Sequence, residues 1–251
     1  MATYTIRPID SGHFKEIAKP VLADMHGFGE VIRSPILMWA IEGGNERIIV
    51  DTGPGNPQRA LEYHREIDQS ERQRPDKALE YLGWDPNDVD LVIMTHLHWD
   101  HCGNNHIFKR AEFVLQEEEI RYAICPLPIQ GVPYESFSIG TSPLWLDTMS
   151  QFVTIRGDKE LLPGITLIHL PGHSPGFQGV LVETQKGPYL IAGDCVPLYE
   201  NWDGIGSANH IPHGVHTDLF AYYRSFDRMD EINAPILPGH DMRVLENPIY
   251  P

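Results

Sequence analysis

Only three cysteines, Cys102, Cys125 and Cys195, occur in 251 residues, an odd number too small for a disulfide framework. A reduced, cytoplasmic protein is the corresponding expectation. No apolar run approaches the roughly 18 residues that cross a bilayer, so no membrane partner is expected. Met1 to Phe14 mixes Arg7, Asp10 and His13 and lacks the apolar stretch of a secretory signal. Positive charge is scarce: 19 Lys and Arg face 35 Asp and Glu, leaving −16 at pH 7. A surface that acidic repels phosphate backbones, which counts against nucleic acid as a partner. Low-complexity linkers and internal repeats are absent. The apolar (41%) and charged (22%) fractions are those of an ordinary globular chain, which excludes wholesale disorder.

Strands and helices alternate through the chain. Pro35 to Glu42 and Glu46 to Asp51 are apolar runs split by Gly43-Gly44-Asn45, a hairpin signal. Asn56-Pro57 reads as a helix cap followed by proline at the first helical position, with the helix continuing to about Asp68. Ala78, Leu79 and Leu82 mark a second short helix. Buried strands are expected at Leu91 to Met94, Phe113 to Leu115, Phe152 to Ile155, Ile165 to Leu170, Gly179 to Val182 and Tyr189 to Ala192. Helical periodicity spans Leu219 to Ile232, and a last strand covers Pro235 to Leu237. Such interleaving predicts one α/β domain over residues 1–251, two layered sheets flanked by helices. The proline-rich stretch from Pro126 to Pro143 reads as a functional loop.

What the sequence has in excess is histidine, 13 in all. Four potential ligands fall within His96-Leu97-His98-Trp99-Asp100-His101, directly after the Leu91 strand. In an extended segment alternate side chains face one side, so His96 and His98 are expected to converge on one point as the strand ends, while Asp100 and His101, in the turn that follows, can face a second. Mixed imidazole and carboxylate donors suit zinc, iron or manganese, whereas calcium and magnesium take oxygen donors. Three later strand ends carry further candidates: His173 in Pro171-Gly172-His173, Asp194 after Gly193, and His240 in Pro238-Gly239-His240.

His96-x-His98-x-Asp100-His101 followed by His173, Asp194 and His240 resembles the metallo-β-lactamase superfamily of hydrolases. The resemblance runs from Asp51-Thr52-Gly53 to His240. It implies an αββα sandwich of two mixed sheets, with the active site at one edge. It further implies two divalent ions, zinc first, with His96, His98 and His173 on one and Asp100, His101 and His240 on the other. Asp194 would bridge them, and Asp51 would orient a ligating histidine.

Within that superfamily the chain is similar to the N-acyl-homoserine lactonase branch. Asp194 separates it from true β-lactamases, His98 from the flavin-linked iron proteins, and the short segment after His240 from glyoxalase II. The implied reaction is lactone opening by a metal-bridging hydroxide, with Asp100 as proton shuttle. Hydrolysis of another small ester, thioester or cyclic amide is the alternative, and a non-catalytic metal-binding protein is the reading from another class. Those lactonases often place a tyrosine near the substrate carbonyl, three residues after the bridging aspartate. Here that position is Pro197, and Tyr199 is the candidate substitute. An apolar acyl pocket is expected from Met25, Phe28, Trp99, Phe137, Trp145, Tyr199 and Trp202. The loop from Met25 to Val31 is read either as a cover over the metals or as a homodimer contact. Cys195 and Cys102 are expected to pack inward, His106 and His169 to be structural, and His210, His213 and His216 to lie on a loop near the site.

Overall fold

The computed structural model describes residues 3–251; the first two positions of the N-terminal segment lie outside the described residues. Seven strands form the larger sheet: β1 (Thr5–Ala18), β2 (Val31–Glu42), β3 (Ile48–Val50), β4 (Ile67–Asp68), β5 (Leu91–Ile93), β6 (Glu112–Gln116) and β7 (Phe152–Ile155). Their order is β4-β1-β2-β3-β5-β6-β7. Pairing is antiparallel from β4 to β3 and parallel from β3 to β7. The second sheet comprises β8 (Lys159–Leu162), β9 (Ile165–His169), β10 (Gln178–Thr184), β11 (Gly187–Gly193) and β12 (Ile236–Pro238), in the order β12-β11-β10-β9-β8. Only β11 and β12 run parallel there, so both sheets are mixed.

Strand periodicity decides which side chains meet. Leu37, Trp39 and Ile41 of β2 turn inward and pack with Ile165, Leu167, Val180, Val182 and Ile191 of the second sheet. Their neighbours Met38 and Ala40 turn the other way, because successive residues alternate faces. They pack with Val92, Phe113 and Leu115 under the helices α3 (Pro75–Tyr81) and α5 (Glu117–Ile124). On the far side, α7 (Leu219–Ile232) lays Tyr222, Phe226 and Met229 on Ile168, Leu190 and Ala192. Asp218 caps α7 by accepting from the Ala221 amide at 2.9 Å. The layering is helix, sheet, sheet, helix. Shorter helices, α1 (Lys19–Leu22), α2 (Pro57–Tyr63), α4 (Trp99–Cys102) and α6 (Tyr199–Asp203), fill the edges. No helix among the described residues is long and apolar enough to cross a membrane.

The hairpin, the two early helices and the expected strands form where their sequence signals lie, but β7 is not buried: it closes the edge of its sheet, with Val153 and Thr154 exposed. Two boundaries differ. Asn56 does cap α2, accepting from the Arg59 amide at 2.9 Å, but the helix stops at Tyr63 instead of reaching Asp68. Ile67 and Asp68 leave it to pair with Phe14 and His13 of β1. Likewise β9 ends at His169, one residue before Leu170. The longest strand, β1, has no clean sequence signature, because register shifts after Asp10 and Phe14 break its alternation.

Beside α2, Glu135 accepts two hydrogen bonds from Arg59 (2.9 and 2.8 Å) and one from His64 (2.9 Å). His64 in turn lies flat on Trp99, ring centroids 4.2 Å apart. Burial alone would raise the Glu135 carboxyl, but His64 and Arg59 outweigh it and hold it below its ordinary value. A depressed carboxylate contributes stability above the unfolded value of about 4.3 and loses it as pH falls through the lower folded value. Glu135→Gln should therefore lower stability at neutral pH by about 1–3 kcal/mol. It should also flatten the acid limb of thermal stability, which calorimetry between neutral and acid pH would show.

Candidate metal centre

The site begins where β5 runs out. Thr95 to His98 continue as loop, and His98, with φ −69° and ψ 153°, starts the single turn α4 that carries Asp100 and His101. The second sheet answers from the opposite side. His173 follows β9, Asp194 follows β11 and His240 follows β12. The turn holding His173 needs glycine at Gly172. Its φ is 144°, and a Cβ there would lie 2.5 Å from the Tyr222 backbone.

All seven residues meet, each almost wholly buried. Two groups of donors form, His96 with His98, His173 and Asp194, and Asp100 with His101 and His240. Asp194 belongs to both in effect. Its Oδ2 faces His173 Nε2 at 3.5 Å and His96 Nε2 at 3.9 Å. Its Oδ1 faces His240 Nε2 at 3.0 Å and His101 Nε2 at 3.2 Å.

Hydrogen bonds behind the rings fix their tautomers. Thr95 donates its hydroxyl proton to Asp51 Oδ2 at 2.7 Å, so the 3.0 Å contact to His96 must be donated by His96 Nδ1. His173 Nδ1 donates to the Val215 carbonyl at 2.7 Å and His240 Nδ1 to the Pro35 carbonyl at 2.8 Å. His101 Nδ1 meets Asp51 Oδ2 at 2.8 Å, the support expected of Asp51. His96 and His173 are thereby left with an Nε2 lone pair aimed at the centre, and so is His240 in its neutral form, although burial is outweighed there by Asp194, which raises that ring above the ordinary imidazole value. His96 Nε2 and His173 Nε2 sit 3.3 Å apart, and His98 Nδ1 lies 3.1 Å from His173 Nε2. Asp194 Oδ1 and His101 Nε2 are buried without an aligned hydrogen-bond partner. Converging lone pairs of this kind repel unless a cation lies between them, so the donors fit two divalent ions.

The electrostatics agree. Burial keeps His96, His98 and His173 below the usual imidazole value, hence neutral. Burial also opposes charge on His101, but Asp194, Asp100 and Asp51 outweigh it and raise that ring well above the ordinary value. For Asp194, burial is outweighed by His101 and His240, which hold the carboxyl well below the usual range.

The cavity over this cluster is walled by Phe14, Ile17, Val21, Leu22, Trp99 and Pro133, with Arg65 and His213 among its polar residues. Of the seven side chains expected to form an acyl pocket, only Trp99 lines it. Met25 and Phe28 are each 70% exposed on a surface loop, and Phe137 is also exposed. Trp145 belongs to the core beneath α3 and α5, and Trp202 packs beside Phe226. Tyr199 is misplaced for a catalytic role. It is absent from the cavity wall, it packs against the apolar core between the two sheets, and Arg243 stacks 4.5 Å over its ring. The start of α6 turns it toward the sheet interior. Cys102 and Cys195 are buried, and burial pushes both thiols up, away from the thiolate that binds metal.

The three spaced histidines part company. His210 stacks on Trp202 and bonds Asp230 at 3.0 Å, and His216 Nδ1 bonds the His213 carbonyl. Only His213 enters the cavity. His169 is tied to the Pro175 carbonyl at 3.0 Å, and His106 is exposed. The loop from Pro126 to Pro143 does reach the site, bringing Pro133 into the wall and Tyr134 against His98, centroids 4.5 Å apart.

The sequence reading missed Glu119, on α5. Its buried carboxylate accepts from the Leu97 amide (2.9 Å), the Tyr134 hydroxyl (2.7 Å) and the Ser174 hydroxyl (2.6 Å). One side chain thus ties the loop between His96 and His98 to the turn after His173. Nothing in Glu117-Glu118-Glu119 distinguishes the buried glutamate; only its later position inside Ile120 and Ala123 hints at it.

Paired donor groups at the edge of an αββα sandwich define a class of metal-dependent hydrolase folds. The chain belongs to the metallo-beta-lactamase superfamily, whose sequence model matches residues 31–240. It is similar to an N-acyl homoserine lactonase of a Bacillus species, 28% identical over 238 residues, 85% of this chain and 84% of that protein. Among solved structures it resembles an N-acyl homoserine lactone hydrolase with N-hexanoyl-L-homoserine at its catalytic metal centre. The TM-score is 0.81 at 23% identity, covering 98% of this chain and 96% of that one. AidC, a dizinc quorum-quenching lactonase, shares the fold at a TM-score of 0.71 and 14% identity, covering 96% and 89%.

Proposed function

We propose that the protein is a dinuclear metal-dependent lactonase that opens N-acyl-homoserine lactones. The carrying observation is the shared carboxylate: each oxygen of Asp194 faces a different donor group. In this reading His96, His98 and His173 hold one ion and Asp100, His101 and His240 the other, with Asp194 between them. Zinc is the assigned ion, since imidazole and carboxylate donors suit it and AidC is dizinc. Donors arriving from both sheets support a single working domain over 1–251. Three free cysteines support a reducing, cytoplasmic setting, and the exposed Met25 and Phe28 support a homodimer contact better than a cover over the site.

Two bound divalent ions supply Lewis acidity to the lactone carbonyl and lower the pKa of water from 15.7 to about 7. The chain does the rest. Asp51, Pro35 and Val215 fix ring tautomers, and Phe14, Ile17 and Leu22 present an apolar wall to the acyl chain. Asp100, whose Oδ2 lies 3.7 Å from His101 Nε2, lines the cavity, where it would lie beside the leaving oxygen of a bound lactone. As the oxygen of a water adds to the carbonyl carbon, Asp100 would take the proton that water gives up and pass it to the leaving oxygen while the acyl C–O bond breaks, leaving a hydroxy acid.

One observation bears on the charge of the substrate. Arg65 lines the cavity, 5.4 Å over the Phe14 ring, and forms no ion pair among the described residues. An uncharged lactone does not need that cation, but a substrate bearing a carboxylate would use it. Elemental analysis followed by a panel of acyl-homoserine lactones, carboxylated lactones, thioesters and cyclic amides tests both readings. Two ions per chain and turnover of acyl-homoserine lactones, lost by orders of magnitude in Asp100→Asn and His173→Ala, are expected. Flat inactivity on every lactone with turnover of an amide would transfer the assignment.

A further inference from the structure

We infer that His213 is a hydrogen-bond donor to the substrate, and that it supplies through Nε2–H the contact to the carbonyl oxygen for which the sequence suggested Tyr199. This rests on the lactonase reading above. The peptide of Val215 sets the roles of two neighbouring histidines oppositely. Its carbonyl accepts from His173 Nδ1 at 2.7 Å, which leaves His173 Nε2 bare. Its amide donates to His213 Nδ1 at 2.8 Å. An Nδ1 that accepts carries no proton, so neutral His213 carries its proton on Nε2. That atom stands 3.8 Å from Asp194 Oδ2, too far for a hydrogen bond, and His213 lines the same cavity as His98, Asp100 and His240.

The tautomer separates two uses of the ring. A metal ligand needs a bare nitrogen toward the ion, and His213 presents an N–H. A donor aimed where negative charge develops on a carbonyl oxygen needs an N–H held still. The ring is held still. The His213 amide donates to the Tyr222 hydroxyl at 3.2 Å, and that hydroxyl donates to the Asp194 carbonyl at 2.7 Å. Next door, Gly214 donates to the Val21 carbonyl at 3.0 Å, and a Cβ on it would lie 2.0 Å from the Pro20 carbonyl oxygen. The loop is therefore clamped between α1 and the backbone of Asp194, and the ring packs 4.7 Å from His173. No bond to His213 forms or breaks: it donates one hydrogen bond that strengthens as the carbonyl oxygen becomes an alkoxide.

The test uses the zinc-loaded protein, with His213→Ala and His213→Gln beside the wild type. Gln places an amide N–H near the lost Nε2–H. Both variants should keep two zinc ions per chain. Turnover of an acyl-homoserine lactone should fall by about 10²–10³-fold in His213→Ala, with kcat falling more than KM rises, and recover substantially in His213→Gln. Long-range proton–nitrogen NMR of the wild type should show His213 protonated on Nε2 and bare on Nδ1, whatever its activity. Loss of one zinc in His213→Ala would make the residue a ligand and overturn the inference. So would unchanged turnover, failure of glutamine to rescue, or the opposite tautomer. A wild type inactive on all lactones overturns the lactonase reading itself and the substrate role with it, a result distinct from an active wild type that His213→Ala leaves unchanged.

Discussion

Asp194→Asn should leave the fold in place and strip the centre of its function. The amide keeps the size of the carboxylate but offers one oxygen where the site uses two, and it turns an NH2 group toward either His101 and His240 or His96 and His173. Whichever way it flips, one donor group faces hydrogens in place of a lone pair, and one negative charge vanishes among converging imidazoles. Metal content should fall below two ions per chain. Lactone turnover should fall on the order of 10³-fold or more, beyond the roughly 10–100-fold cost of removing a residue that only orients a ligand. Elemental analysis and a turnover assay on one preparation read both quantities. Two ions and near-normal turnover would show that Asp194 does not join the two groups.

Glu119→Ala should be the most destabilising single change near the site, although Glu119 touches no substrate. Burial raises its carboxyl, and the donors of Ser174, Tyr134, Leu97 and Gly176 work against that rise. Removing the acceptor strands those buried donors, each at roughly 1–3 kcal/mol. Partial relaxation makes a net loss of about 3–5 kcal/mol reasonable. At about 2–4 °C per kcal/mol for a protein of this size, the melting temperature should drop by about 6–20 °C. Tyr134→Phe and Ser174→Ala remove one donor each and should cost about 1 kcal/mol apiece. A Glu119→Ala protein that melts with the wild type would mean that the loops of His96 and His173 hold their places unaided.

Why the metal donors could be read from the sequence while the cavity could not is a matter of range. His96, His98, Asp100 and His101 sit within six positions, and their geometry follows from a strand passing into one helical turn. His173, Asp194 and His240 stand at strand ends marked by glycine and proline. Such signals are local. The cavity wall is not: Phe14, Ile17 and Leu22 reach the donor cluster only because β1 pairs with β2 along most of its length, and the bulges in β1 hide its alternation. Tyr199 looked right by spacing, but the orientation of α6 decides where its ring goes. Glu119 and His213 are useful through what they bond, and hydrogen-bond partners far along the chain leave no mark in composition or periodicity.

The origin of that wall along the chain has a practical consequence. Phe14, Ile17, Val21 and Leu22 precede residue 31, where the superfamily match begins, while all seven metal donors lie within it. The region matched by the superfamily model carries the donor cluster, and a leading segment outside that match shapes much of what the cluster can meet. Substrate preference should then be open to redesign through Phe14, Ile17, Val21 and Leu22, ahead of the matched region, with the donor residues untouched. Libraries aimed at new lactones should start at the front of the chain.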